Sequence, residues 1–79
     1  MKIRVGYYAI LREQRGLEQE ILAVESADLR ELYRDLARRH GFSLDEKHVR
    51  PAVNDAFSAW DRRLADGDFV VFVPPVAGG

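Results

Sequence analysis

The group in this 79-residue chain best suited to carry chemistry is the carboxylate that follows Gly78-Gly79. Val76 and Ala77 precede the glycines, and Pro74-Pro75 precede them. Each proline fixes its own φ and lacks an N–H, so a sheet ladder is expected to stop at Pro74. Residues 74–79 then read as an extended, flexible arm. Six extended residues reach roughly 20 Å. Glycine has no Cβ, so a Gly-Gly tip can enter a slot too narrow for other residue pairs. A carboxylate is a poor electrophile until it is activated, and Gly79 is the expected reactive residue.

Other chemistry finds few candidates. The chain has no cysteine, which excludes disulfides, thiolate metal sites and a cysteine nucleophile. That composition is compatible with the cytoplasm, the expected location. His40 and His48, with Asp45 and Glu46 near by, fall short of a metal site's convergent ligand set, and no metal is expected. Ser26, Ser43 and Ser58 lack an evident histidine–acid arrangement. Gly6, Gly16, Gly41 and Gly67 are too scattered to cradle a phosphate. Twelve basic and thirteen acidic residues give a net charge of −1, which argues against nucleic-acid binding. No apolar run is long enough to span a membrane.

The elements that must position the arm follow from periodicity. Ile3, Val5 and Tyr7 alternate with polar or small residues, which predicts a strand over 2–8. Residues 9–15 predict a short helix ended by Gly16, and 17–24 a second strand. Asp28 is a predicted N-cap with Glu31 at capping-box spacing. Leu29, Leu32, Tyr33 and Leu36 then form one apolar stripe, and Gly41 is placed for a stop. Residues 42–49 read as irregular. A short strand is expected over 52–54, begun after Pro51, and a returning one over 56–60 anchored by Phe57 and Trp60. Asp66-Gly67-Asp68 predicts a tight turn into a final strand over 69–73. One helix over one mixed sheet of four to five strands gives a single two-layer α+β domain, with the first and last strands adjacent at its centre.

The final strand is apolar on both faces. Val70 and Phe72 share one side; Phe69, Val71 and Val73 share the other. A single helix covers only one side. The second side is either buried in its own right or an apolar patch for a partner, beside the arm. The patch reading expects an aspartate at position 71 to stay hydrated in the free domain. Arg12 and Glu13 read as a surface ion pair or a partner contact.

Leu64-Ala65-Asp66-Gly67-Asp68, Ala52-Val53-Asn54, Tyr8-Ala9 with Arg12-Glu13, and Pro74-Pro75-Val76-Ala77-Gly78-Gly79 together resemble the MoaD/ThiS family of ubiquitin-like sulfur carriers. Small subunits of molybdopterin synthase belong to this family. The resemblance covers nearly the whole chain and implies a β-grasp fold. It implies that the Gly79 carboxylate is adenylated by an E1-like activating enzyme that uses ATP and Mg²⁺. The carrier itself would bind no cofactor. A sulfur donor would then convert the adenylate to a thiocarboxylate. The large catalytic subunit would receive the arm, through Phe69, Val71, Val73, Pro74, Pro75, Val76, Ala77 and Gly78, in a heterotetramer that adds sulfur to a pterin precursor for molybdenum cofactor synthesis. Carriers for thiamine or cysteine synthesis and ubiquitin-like modifiers share the fold and the Gly-Gly end. The Pro-Pro stop and the Arg12-Glu13 segment favour the molybdopterin pathway over the thiazole carriers. Phe69 and Pro51 depart from the family pattern.

Overall fold

The computed structural model describes residues 1–75. Five strands, β1 (Lys2–Tyr7), β2 (Gln19–Ala23), β3 (Arg50–Val53), β4 (Ala56–Phe57) and β5 (Phe69–Val73), form one sheet in the order β2-β1-β5-β3-β4. Two helices, α1 (Ala9–Arg15) and α2 (Leu29–His40), complete the fold. β1 and β5 run parallel; the other neighbours are antiparallel. The first and last strands are adjacent, as expected, and β5 lies at the centre of the sheet.

Local chemistry sets the helix limits. Asp28 caps α2 by accepting from the Glu31 N–H at 3.0 Å. The reciprocal half of the expected capping box is absent. Glu31 instead accepts from the Ser26 hydroxyl, which in turn accepts from the Asp28 N–H. Gly16 and Gly41 end the two helices at φ +82° and +68°, where a Cβ would be strained. Leu29, Leu32, Tyr33 and Leu36 are buried against Ile3, Val5, Tyr7, Val53, Val70 and Phe72, and α1 adds Leu11. Fully burying such side chains contributes about 1.5–3 kcal/mol each.

Several local expectations change. Strand β3 includes Pro51. The Asn54 N–H donates to the Phe69 carbonyl, so alternate residues Ala52 and Arg50 direct their N–H groups toward β5. Pro51 therefore lacks its donor on the β4 side, opposite Ser58, where the short strand has already ended. Strand β4 stops at Phe57, whose ring is 55% exposed beneath the Arg50 guanidinium and anchors nothing in the core. Trp60 does pack inward, against Tyr33 and Phe72. The irregular stretch after α2 contains a 3₁₀ turn, Glu46–His48, and Glu46 binds Arg30 and Arg34. Arg12 and Glu13 make no ion pair among the described residues, because successive helical side chains diverge.

The turn before β5 is held by a buried carboxylate. Asp68, 8% exposed, accepts from the Ala65 N–H at 2.8 Å and from the Asn54 amide at 2.9 Å. These two bonds, the backbone one first, hold its pKa below the usual carboxylate value. A lowered folded-state pKa stabilises the fold above the unfolded-state value, and the contribution is lost as pH falls through the folded one. Asp68→Ala is expected to cost about 1–3 kcal/mol in a urea melt at neutral pH, by leaving both donors unpaired. The difference from wild type should shrink in acid. An unchanged midpoint would remove Asp68 from the stability account.

Candidate functional site

The site is built on the face of the sheet turned away from the helices. Val70 and Phe72 of β5 belong to the helix-covered core, whereas Val71 does not. The registers Arg4↔Phe69, Gly6↔Val71, Ala52↔Val71 and Arg50↔Val73 place these residues on the second face. Ala52↔Phe57 and Arg4↔Ile21 extend that face to β4 and β2.

Its relief is specific. Val71 forms the floor with 9% of its surface exposed, and Phe69 and Val73 are half-buried around it. No helix supplies this burial; neighbours on the same face do. A Cβ on Gly6 would lie 3.2 Å from the Phe69 ring and 3.3 Å from a Val71 methyl. The missing side chain is thus the space those two residues fill. Arg4 lies 4.5 Å above the Phe69 ring and Arg50 3.8 Å above that of Phe57. The face therefore presents an apolar floor with two cations parked on aromatic rings at its rim. Sequence reasoning located the β5 row but missed these arginines: Arg4 and Phe69 lie 65 positions apart, and the Arg50–Phe57 pair forms only once β3 and β4 are in register.

Strand β5 leads directly into the two prolines. Pro74 is buried and Pro75 exposed, so the described chain leaves the body after Pro74. The structure brings Phe69, Val71 and Val73 into one row, and Pro74 and Pro75 follow that row in the chain. The other residues expected in the site, Val76, Ala77, Gly78 and Gly79, lie outside the described residues. No cluster of three or more potential metal ligands occurs among the described residues. No helix of the structure is long and apolar enough to cross a membrane.

A mixed sheet clasping one main helix, with β1 and β5 parallel at its centre, defines a ubiquitin-like β-grasp protein. SAMP1 from Haloferax volcanii shares that fold at a TM-score of 0.81, with 24% identity and both chains fully covered. The ThiS family model matches residues 5–79, and the chain belongs to this MoaD/ThiS family. It is 32% identical to the molybdopterin synthase sulfur carrier subunit of Escherichia coli, over 98% of this chain and 99% of that one. It is also similar to a chain in the complex of subunits 1 and 2 of molybdopterin-converting factor from Helicobacter pylori. That likeness has a TM-score of 0.68, 26% identity and full coverage of both chains.

The 9% exposure of Val71 corrects the expectation that an aspartate there would remain hydrated. Val71→Asp is expected to destabilise the free domain by about 1–3 kcal/mol, the usual cost of a poorly partnered buried polar group. A thermal melt matching wild type would show that the floor opens to water.

Proposed function

We propose that this protein is the sulfur carrier subunit of a molybdopterin synthase. The observation that carries the reading is the direct run of β5 from an apolar docking floor into the proline-led arm. The family match, which extends through Gly79, and the full-length likeness to a curated sulfur carrier support it.

In this reading an oxygen of the Gly79 carboxylate attacks the α-phosphorus of ATP on an E1-like enzyme. Pyrophosphate leaves, with Mg²⁺ supplied at that enzyme's site. A sulfur donor then displaces AMP and leaves a thiocarboxylate. That sulfur is ionised and soft, a far better nucleophile than the original oxygen. It displaces an oxygen leaving group from a carbon of the pterin precursor, forming a carbon–sulfur bond, while the large subunit holds the body. Water then cleaves the acyl–sulfur bond and restores the carboxylate for another cycle. The carrier positions sulfur; acid–base groups belong to its partners. The Helicobacter pylori relative is described in a complex with a second subunit, which supports such pairing.

The docking floor and the arm have separable roles. Val73→Asp alters a half-buried rim position. It is expected to leave the melting temperature near wild type and to weaken binding to the large subunit by about 1 kcal/mol or more, since it puts a charge into the apolar row that docking would desolvate. Unchanged affinity in a calorimetric titration would exclude the face as the dock.

Removing Gly78 and Gly79 is expected to change stability by less than about 0.5 kcal/mol while abolishing molybdopterin formation in a reconstituted assay. Gly78→Val should also fold and fail, because a branched Cβ widens and stiffens the arm. Sulfur transfer by either variant at the wild-type rate would contradict the proposal.

A further inference from the structure

The two edges of the sheet are protected unequally. Strand β4 is two residues long, and Pro51 of its neighbour lies just past its end. Short strands and prolines are the usual protection of an edge. Strand β2, at the opposite edge, has five residues with neither proline nor lysine.

Its free hydrogen-bonding groups follow from the pairing with β1. Val24 exchanges backbone hydrogen bonds with Met1, and the Tyr7 N–H donates to the Glu18 carbonyl. In the register Ile3↔Leu22 and Val5↔Glu20, the even-numbered residues of β2 thus face β1. The N–H and C=O groups of Gln19, Ile21 and Ala23 point away from the sheet. None of them pairs with another strand among the described residues. Ile21 is also 71% exposed.

This pattern is symmetric about Ile21. A second copy of β2, related by a two-fold axis through that residue, would set Ile21 against Ile21 and Gln19 against Ala23. All three are hydrogen-bonding positions, so every free donor would meet a free acceptor. The same symmetry sets Glu20 opposite Leu22 of the second copy and Glu18 opposite its Val24. No two carboxylates face each other.

The helix layer is complementary under the same operation. A groove of about 460 Å³ lies between β2 and α2, floored by Leu22, Leu32 and Leu36. Its α2 wall carries Asp28 and Glu31 toward the N-terminal end and Arg38 and Arg39, both paired with Asp35, toward the C-terminal end. A two-fold axis normal to the sheet runs the two α2 helices antiparallel. The Asp28 and Glu31 end of each then lies toward the end of the other where two arginines share the single carboxylate of Asp35.

The geometry points to a homodimer formed by antiparallel β2–β2 addition, joining two sheets into one of ten strands. The interface is isologous, and its specificity comes from backbone register with the α2 charges as a second filter. Strand β1 separates this edge from β5, so each copy keeps its docking floor and arm free for another partner.

The test uses sedimentation equilibrium and amide hydrogen exchange on the full chain over a wide concentration range. The wild type should pass from monomer to twice the monomer mass, and the Gln19, Ile21 and Ala23 amides should gain protection with concentration. The Glu20 and Leu22 amides should be protected throughout. Ile21→Pro should fold, because the lost N–H is not used by β1, and should stay monomeric. Ile21→Lys places two cations at the axis and should also stay monomeric, which keeps the test decisive if the proline variant fails to fold. High salt should weaken the wild-type dimer. A wild type that remains monomeric with exchange independent of concentration overturns the proposal. So does a dimer that survives Ile21→Lys.

Discussion

The structure depends on how β5 is locked between β1 and β3. Parallel pairing of β1 with β5 joins segments more than sixty residues apart, so no short turn fixes its register. The turn at 65–68 does so instead. The Lys2 N–H donates to Asp66 at 2.7 Å, and the Gly67 N–H donates back to the Lys2 carbonyl. On the other side, Asn54 exchanges backbone and side-chain bonds with Phe69 and binds Asp68. One turn therefore sets both neighbours of the central strand. A one-residue slip would turn Val70 and Phe72 out of the core and Val71 into it. It would also turn the floor beside the arm inward.

This constraint links stability to the proposed chemistry. A carrier must offer the same arm to several partners, so the body has to fix where the arm starts. Burial of Pro74 sets that origin at the end of a strand held on both sides. A second anchor lies at the far end of β1. Tyr7 and Arg15 both bind Glu20, at 2.7 Å each, joining α1 to β2. The Arg15 guanidinium holds Glu20 below the usual carboxylate range, and burial pushes the Tyr7 hydroxyl well above its ordinary value. Tyr33 of α2 donates to the Leu44 carbonyl, beyond the helix's C-terminal end, at 2.6 Å, and burial raises its hydroxyl to about 12. Both tyrosines stay neutral donors across physiological pH.

Much of this was legible in the chain. Period-two alternation marked β1, the Asp66-Gly67-Asp68 turn and the apolar run after it marked β5, and the stripe Leu29, Leu32, Tyr33 and Leu36 with Asp28 and Gly41 marked α2 within a residue. Those signals are local, and local chemistry decides them. The errors lay where tertiary contacts decide. Pro51 sits inside a strand because its missing donor faces a gap, which depends on where β4 ends. Phe57 looked like a core anchor, yet its position opposite Ala52 places it on the outer face. The row of Phe69, Val71 and Val73 was read correctly as a face, but the degree of burial was not. Gly6 and the arginines that shape it come from other strands. Asp68 had been read only as a turn residue, since its role depends on Asn54, fourteen positions away.

In the proposed function the terminal carboxylate of Gly79 becomes a thiocarboxylate. Intact-mass spectrometry tests it most directly, after incubation of the full chain with ATP, Mg²⁺, an activating enzyme of the E1-like kind and a sulfur donor. The expected result is a mass increase equal to exchange of one oxygen for sulfur, located by fragmentation on Gly79 and absent without ATP. An unchanged mass under conditions that load a known carrier of the same family would contradict it.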